Sequence, residues 1–271
     1  SDLNHVLESS GNKYNAKRNK RVSLLFSGQG TQWIGMGRKL IQFPAYREQF
    51  EKCVEGFKSI GQCDLNEIIE SDDYNIQNDT YLMQPVIFSI QVSLASLLKE
   101  IGIEYDTVCG HSLGEVAAAY SSGLISFKSA IKIIQTRSQI MRRLSGKGIM
   151  ISVSLTEEIA QEYLKEYQNT SIGVINTKES VVISGDNEEI IDLEQKLKNN
   201  GVRYKYLPVN NAFHYVGLES YREEFVESVG KIRSKPSPVK YISTVTGEPI
   251  NTRYLNEEYW ANNMINTVQF A

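Results

Sequence analysis

A glycine-flanked serine stands in the segment VCGHSLGEVAAAY at residues 108–120. The pattern Gly110-x-Ser112-x-Gly114 follows an apolar strand pattern and precedes a run of small residues that favours a helix. A sharp strand-to-helix turn brings backbone segments so close that side chains at 110 and 114 would collide. The serine hydroxyl would then lie at a helix N-terminus, where unpaired N–H groups favour negative charge. Although the pattern also occurs by chance, its flanking elements predict that Ser112 is a nucleophile, with the Leu113 N–H as an oxyanion donor.

A serine nucleophile needs a base, and the chain has three histidines that could serve. His5 lies in residues 1–20, whose polar and basic composition is typical of a linker or tail. His111 directly precedes Ser112, so we expect its side chain to point away from the serine. This leaves His214 as the candidate base. No acidic residue is evident as a third member, so a Ser-His dyad held by a backbone carbonyl or an asparagine side chain is one possible arrangement.

Strand and helix patterns alternate on both sides of these residues. Strands are predicted at 21–26 and 105–110, and helices at 84–102, from the serine turn to about 121, and at 126–145. Pro85 is expected at the start of the first of these helices. Alternation of this kind predicts a parallel sheet in an α/β fold.

Residues 147–208 follow a different pattern. Their strands and helices alternate in the order βαββαβ, which is typical of a ferredoxin-like unit. We therefore predict an α/β-hydrolase-like catalytic subdomain, residues 21–146 and 209–271, into which a ferredoxin-like small subdomain, residues 147–208, is inserted. Residues 1–20 are predicted to be a linker or tail.

Composition limits the functions that the chain can have. A net charge of −3 argues against non-specific binding of nucleic acid, which needs a basic face. The three cysteines form neither a CxxC pair nor a disulfide framework, and we predict no metal site. No uninterrupted apolar run reaches the roughly 18 residues of a membrane span, so we expect a soluble cytoplasmic protein with no membrane partner.

Six motifs occur in the order found in malonyl-CoA:acyl-carrier-protein transacylases. They are FSGQGTQWIGMG (26–37), GHSLGEVAAAY (110–120), QTRSQIM (135–141), VINTKESVVISGD (174–186), NAFH (211–214) and YWANNM (259–264). Over about residues 21–270, the chain most resembles the acyltransferase domains of modular polyketide synthases. The resemblance implies no bound cofactor and a substrate supplied as acyl-CoA or acyl-phosphopantetheine. It also implies an acyl carrier protein as acceptor, and a neighbouring ketosynthase and other modules of the same synthase as partners.

The resemblance assigns roles to the predicted site residues. Ser112 would carry the acyl group, His214 would be its base, and the backbone N–H groups of Gln29 and Leu113 would form the oxyanion hole. Arg137 matches the arginine that binds the free carboxylate of a malonyl-type unit. A guanidinium suits this role because it pairs with a carboxylate through two hydrogen bonds and stays charged.

Four further residues are candidates for the site. Gln84 matches a family glutamine near the pocket, although it could equally be a helix cap. His111 is assigned to substrate binding. Asn176 could face the cleft or satisfy a turn, and Asn263 could orient the catalytic histidine or lie in a surface loop.

The segment Asn211-Ala212-Phe213-His214 bears on the choice of substrate. Malonyl-specific relatives usually carry His-Ala-Phe-His there, whereas methylmalonyl-specific ones carry Tyr-Ala-Ser-His. Phe213 keeps the bulk that excludes a methyl branch, and Leu113 after the serine also points to malonyl. Asn211 is smaller and polar, so a second hypothesis is a hydroxymalonyl or aminomalonyl unit delivered from a carrier protein.

Other departures and other functions stay open from the sequence. Ile265 and Thr267 replace an arginine and a proline that the family often has, which leaves donor binding less certain. A serine thioesterase or hydrolase would use the same Ser112 and His214 but release the acyl group to water. A non-catalytic docking domain is a further alternative. Arg137 and the inserted small subdomain argue against the hydrolase.

Overall fold

The computed structural model describes residues 21–271, and the predicted linker or tail, with His5, lies outside this range. The strands in chain order are β1 (Ser23–Phe26), β2 (Thr107–Gly110), β3 (Ile149–Val153), β4 (Thr170–Thr177), β5 (Ser180–Gly185), β6 (Tyr204–Tyr206), β7 (Lys240–Ile242) and β8 (Val268–Gln269). The α-helices are α1 (Pro44–Ser59), α2 (Leu65–Glu70), α3 (Tyr74–Asn78), α4 (Thr80–Glu100), α5 (Gly114–Ser121), α6 (Phe127–Arg143), α7 (Glu157–Leu164), α8 (Asn187–Asn199), α9 (Arg222–Val229) and α10 (Glu257–Ile265). Short 3-10 helices span Arg38–Gln42, Val216–Tyr221 and Thr252–Tyr254.

The first sheet is parallel and has the strand order β1-β2-β7. Parallel neighbours need crossover connections, which here contain helices, so the predicted α/β fold is confirmed. Phe26 at the end of β1 is in register with Gly110 at the end of β2. The loops that carry Gln29 and Ser112 therefore leave the same edge of the sheet side by side.

The second sheet has the order β6-β3-β5-β4-β8. Its first four strands are antiparallel neighbours and follow the predicted βαββαβ order along the chain. β8 extends this sheet by pairing in parallel with β4, with Val268 opposite Val174. The predicted division had assigned residues 268–269 to the larger part. An unpaired edge on β4 would leave backbone N–H and C=O groups exposed, and β8 covers it.

The central helix α4 begins earlier than the sequence predicts. Asp79 caps its N-terminus by accepting from two backbone N–H groups, so Pro85 lies inside the helix instead of at its start. Proline has no N–H to give to the carbonyl of residue i−4, which is Tyr81. The Gln62 side chain donates to that carbonyl instead, at 3.0 Å. A side chain 19 positions before Tyr81 thus makes the proline tolerable, which local sequence cannot show.

Helix α4 is also the one helix among residues 21–271 that is long and apolar enough to cross a membrane by length and composition. About 67% of its most apolar stretch is buried inside the protein. Helices that are apolar all round are found in protein cores as well as in membranes. Here the helix forms the centre of the larger part, and Phe88 at its middle is fully buried.

Each face of the small sheet is buried differently. On one face, Met150, Val174 and Val182 join the hydrophobic core of the larger part. On the other, Ile151 and Ile183 pack in a separate cluster under α7 and α8. A cavity lies between this face and the ends of β1 and β2, lined by Gln29 and Ser112 on one side and by Val174 and Val182 on the other.

Candidate active site

Ser112 lies in the tight turn between β2 and α5. Its φ of 52° is in the left-handed region, which non-glycine residues rarely adopt. A Cβ on Gly110 would lie 2.2 Å from the Glu115 nitrogen, and one on Gly114 would lie 2.1 Å from the Phe26 carbonyl oxygen. Both distances are far below van der Waals contact, so glycine is required at each position. This is the strained turn that the Gly-x-Ser-x-Gly pattern predicts.

Ser112 and His214 are in direct contact. The Oγ atom of Ser112 is 2.6 Å from Nε2 of His214, and both side chains are buried. Nδ1 of His214 lies 3.0 Å from the backbone carbonyl oxygen of Asn266. A carbonyl can only accept, so Nδ1 carries the proton and Nε2 is free to accept the serine proton. The sequence left open whether a backbone carbonyl or an asparagine side chain holds the histidine, and in the structure a backbone carbonyl contacts Nδ1.

The environment of His214 favours its neutral form. Burial lowers its pKa well below the usual 6.5, and the positive charge of Arg137 and the neighbouring His111 lower that pKa further. The hydrogen bond to Asn266 opposes this shift. A neutral imidazole at neutral pH has the free lone pair that a general base needs.

Arg137 is buried beside the nucleophile. Its Nη2 donates to Ser112 Oγ at 2.7 Å, and its Nη1 donates to Asn263 Oδ1 at 2.6 Å. Its Nε has no hydrogen-bond partner among the described residues. Burial lowers the pKa of Arg137 to about 10, so the guanidinium remains charged at neutral pH. The site therefore holds a cation with spare donors next to the serine oxygen.

A cavity of about 240 Å³ brings most of the predicted residues together. Its lining consists of Gln29, Gln84, His111, Ser112, Leu113, Arg137, Met150, Ser152, Val174, Asn176, Val182, Leu207, Val209, Phe213 and His214. His111 lines this cavity, and its ring packs against Phe270 at 5.1 Å between ring centroids. Burial lowers the pKa of His111, and the nearby Asn176 side chain opposes this shift. The apolar share of the lining comes mainly from the small sheet and from the chain that leaves it.

The two predicted oxyanion residues also border this cavity. Leu113 precedes the first turn of α5, and Gln29 follows β1. The Gln29 side chain is held from two sides: it donates to Thr80 Oγ1 at 2.9 Å and accepts from Gln84 at 3.4 Å. Gln84 is buried inside α4, so it lines the pocket and is not a helix cap. The role of the two backbone N–H groups stays a prediction.

Asn211 is buried next to Thr80 and is not among the residues that line the cavity at Ser112. Its Oδ1 accepts from Thr80 Oγ1 at 3.3 Å, and its Nδ2 points to Met141 Sδ at 3.4 Å. It lines a separate cavity on the far side of Thr80. Buried amides need hydrogen-bond partners, and those of Asn211 lie behind the site instead of within it. A role for Asn211 toward a substituent on the substrate stays a prediction.

Asn263 is buried in α10 and bonds to Arg137, and no hydrogen bond joins its side chain to His214 among the described residues. Its predicted role in orienting His214 stays a prediction. Besides accepting from Arg137, it donates through Nδ2 to the Ser112 carbonyl and to Glu115 Oε1, both at 3.2 Å. Sequence reasoning missed Glu115 entirely. The sequence did contain a signal for Glu115: it is the only acidic residue in α5, whose other residues are mostly small and apolar. An acid in such a helix is expected to be buried and therefore paired.

These features define a class of protein. A buried serine–histidine pair at a strand-to-helix turn, with a cation on the serine oxygen, fits an α/β enzyme that transfers acyl groups through serine. The family model described as "Acyl transferase domain" matches residues 24–271, so the chain belongs to this family. It is an acyltransferase domain of the kind found in modular polyketide synthases, and such domains act without a bound cofactor. Residues 21–271 contain no group of three or more His, Cys, Asp or Glu side chains that could hold a metal.

Individual relatives agree with this assignment. The chain is 35% identical over 254 residues to the polyketide synthase GfsB of Streptomyces halstedii, covering 92% of this chain and 5% of that one. The acyltransferase domain from module 8 of the salinomycin polyketide synthase superimposes with a TM-score of 0.87 at 30% identity, covering 92% of this chain and 60% of that one. The malonyl CoA-acyl carrier protein transacylase of Clostridium perfringens superimposes with a TM-score of 0.84 at 27% identity, covering 93% of this chain and 80% of that one. The chain thus spans a small fraction of the length of the curated synthases it matches.

Proposed function

We propose that Ser112 accepts a malonyl-type acyl group from a thioester and passes it to the phosphopantetheine thiol of an acyl carrier protein. Malonyl-CoA is the leading donor. The observation that carries this proposal is the contact between the Arg137 guanidinium and Ser112 Oγ inside the cavity. A cation at this place suits an acyl group with a free carboxylate.

In the first half-reaction, His214 Nε2 takes the hydroxyl proton while Ser112 Oγ attacks the thioester carbon. The backbone N–H groups of Gln29 and Leu113 stabilise the tetrahedral oxyanion. The intermediate collapses with loss of the CoA thiolate, which takes the proton from His214. The products are acyl-Ser112 and free CoA.

In the second half-reaction, the carrier's thiol gives its proton to His214 and its sulfur attacks the acyl-Ser112 carbon. Ser112 Oγ then leaves and regains a proton from His214. The acyl group ends on the carrier as a new thioester, and the free enzyme is restored. The neutral state of His214 suits both steps, because each begins with removal of a proton.

Phe213 supports a malonyl unit because it contributes bulk to the wall of the acyl cavity. Asn211 is absent from the lining of that cavity, and its side chain is already paired with Thr80 and Met141. We therefore favour malonyl over the hydroxymalonyl or aminomalonyl unit. Faster labelling of Ser112 by a carrier-bound hydroxymalonyl or aminomalonyl donor than by malonyl-CoA would reverse this preference.

The proposal is tested by intact-mass detection of the acyl-enzyme across a panel of acyl-CoA and acyl-carrier donors. Malonyl-CoA is expected to add one malonyl group, which a carrier protein then removes as malonyl-carrier. Ser112→Ala is the control and should not be labelled. Fast release of free malonate in the absence of any carrier would instead support the hydrolase alternative.

Replacing Arg137 tests the choice of acyl group. We expect Arg137→Ala to slow malonyl transfer by about 10- to 100-fold, because hydrogen bonds to a charged group are lost. Acetyl transfer should be spared or improved, since acetyl has no carboxylate. Arg142→Ala is the matched control: Arg142 lies on the same helix but packs over the Tyr81 ring outside the acyl cavity. Equal loss of both transfers would remove Arg137 from carboxylate recognition.

A further inference from the structure

Glu115 is a buried acid next to the active site that the proposed mechanism does not use. It has no solvent exposure and lies three residues after the nucleophile. Its Oε1 accepts from Thr244 N–H at 2.9 Å, Thr244 Oγ1 at 2.6 Å and Asn263 Nδ2 at 3.2 Å. Its Oε2 accepts from Tyr241 OH at 2.5 Å and from Tyr259 OH. Burial raises the pKa of Glu115 above its usual value, and these donated hydrogen bonds offset only part of that rise. The Thr244 hydroxyl has a single hydrogen and also lies 3.0 Å from the Gly110 carbonyl oxygen. The Thr244 N–H, the Asn263 amide and the two tyrosine hydroxyls remain as donors, and they suit an ionised carboxylate.

Arg137 is the matching buried cation, yet no carboxylate among the described residues forms an ion pair with it. The Asn263 amide lies between the two charges. Its Nδ2 donates to Glu115 and its Oδ1 accepts from Arg137. The Thr244 N–H can only donate, so the atom facing it must be an acceptor, which is Glu115 Oε1. That acceptor in turn requires the donor end of the amide to face Glu115 and its acceptor end to face Arg137.

This arrangement solves a conflict in the site. A buried guanidinium without a nearby negative charge is costly, so Arg137 needs compensation. A direct ion pair would occupy the donors that must bind the substrate carboxylate. With a neutral amide between the charges, Glu115 still stabilises the charged form of Arg137 and thereby opposes the lowering of its pKa by burial. Meanwhile Nη2 and Nε of Arg137 are not engaged by any acid.

We propose that Glu115 is a positioning and specificity-determining residue, which acts through Asn263 to hold Arg137 and to set how strongly the site prefers carboxylate-bearing acyl groups. This inference rests on the proposed function. Glu115 touches no reacting atom itself. Its negative charge compensates Arg137 in the free enzyme and weakens the attraction of the same site for a second carboxylate.

Two near-isosteric substitutions should change selectivity in opposite directions. In Glu115→Gln the carbonyl oxygen can still face Thr244 and Asn263, so mainly the charge is lost. We expect the ratio of malonyl to acetyl acylation rates to rise about three- to tenfold, with a lower KM for malonyl-CoA. In Asn263→Asp a carboxylate faces Arg137 and competes with the substrate. We expect that ratio to fall by about tenfold or more.

Tyr241→Phe is the control. It removes a hydrogen bond from Oε2, the oxygen that faces away from Asn263, and leaves the charge of Glu115 in place. The ratio of malonyl to acetyl acylation rates in Tyr241→Phe should stay within about twofold of the wild-type ratio, even if the variant is less stable. A merely structural role for Glu115 would slow malonyl and acetyl acylation together in all three variants. An unchanged ratio in both Glu115→Gln and Asn263→Asp would overturn the inference.

Binding of free malonate gives a second readout that does not depend on acyl transfer. Malonate should raise the melting temperature of Glu115→Gln more than that of the wild type, and that of Asn263→Asp less. Equal shifts in all three proteins would also overturn the inference. If the wild type is labelled by neither donor, the proposed function fails, and the malonate shifts still decide the role of Glu115. If Glu115→Gln does not fold, Asn263→Asp still decides whether negative charge beside Arg137 sets the preference for carboxylate-bearing acyl groups, and an unchanged ratio there overturns the inference.

Discussion

The two members of the candidate dyad have the same unusual backbone conformation but are held in place by different means. Ser112 has a φ of 52° and His214 a φ of 54°, and they are the only non-glycine residues with positive φ in the described chain, residues 21–271. Ser112 is supported locally: the two glycines of its own turn allow the backbone to pass the end of β1, and His111 N–H donates to the Phe26 carbonyl at 2.8 Å. A short segment therefore contains nearly everything that shapes the nucleophile.

His214 is supported from a distance. Its Nδ1 is held by the Asn266 carbonyl, 52 positions along the chain. Residues 266–270, which we call the C-terminal strap, continue onto the small sheet. Thr267 Oγ1 donates to the Ile172 carbonyl of β4 at 2.7 Å, and β8 pairs with the same strand. The position of the base thus depends on how the small sheet packs against the larger part.

The comparison explains why a local pattern indicates the serine, whereas the histidine emerges only by elimination. It also predicts different consequences of mutation. Changes in the serine turn should disturb folding, because backbone meets backbone there. Changes in the C-terminal strap should mainly shift the base and cost little stability.

The largest effect is expected from Gly114→Ala. Its Cβ would lie 2.1 Å from the Phe26 carbonyl oxygen and 2.7 Å from that of Ser27, and neither backbone atom can move freely. We expect a loss of at least about 3 kcal/mol in the free energy of unfolding, with no acyl-enzyme formed. The measurement is denaturant unfolding together with intact mass.

Gly123→Ala is the matched control for this prediction. Gly123 has a φ of 78°, but a Cβ there would meet nothing within 4 Å. Only the cost of the left-handed backbone remains, about 1 kcal/mol. If the two alanine variants proved equally stable, close packing would not be what shapes the serine turn.

The next largest effect is expected from acid pH, which acts on His214. Because its pKa is lowered in the folded state, the base should stay neutral below pH 6.5, and acylation should decline only at lower pH. Below the folded pKa the rate should fall about tenfold per pH unit. Single-turnover acylation between pH 4 and 8 measures this, and an inflection at or above 6.5 would contradict the effect of burial.

The free energy of unfolding should also decrease as the pH falls. Below pH 6.5 the unfolded histidine takes up a proton that buried His214 resists, so unfolding is favoured as pH falls through that value. His111, whose pKa is also lowered by burial, contributes in the same direction. Above pH 6.5 both states hold neutral histidines, and this contribution to pH dependence disappears. Urea unfolding at pH 7.5 and 5.5 is the appropriate measurement.

The same contrast between local and distant supports decides what the sequence could predict. The strand, turn and helix around Ser112 and the βαββαβ order are periodic patterns over neighbouring residues, and both fold predictions are confirmed. Three features that the sequence did not indicate involve long-range partners. Pro85 is tolerated inside α4 because of Gln62, Asn211 bonds to Thr80 behind the cavity, and β8 joins the small sheet. Glu115 was missed for the same reason, since its partners lie about 130 or more positions away.

The smallest effect is expected from Thr267→Val, which tests the C-terminal strap. Valine keeps the shape of threonine but removes the hydroxyl that donates to Ile172, so we expect a loss of about 1 kcal/mol in unfolding free energy. Acylation should slow by a few-fold through displacement of the Asn266 carbonyl from His214. Thr267→Ser keeps the hydroxyl and should retain more of the activity. If Thr267→Val lost stability but acylated Ser112 at the wild-type rate, the contact between the C-terminal strap and the small sheet would not set the position of the base.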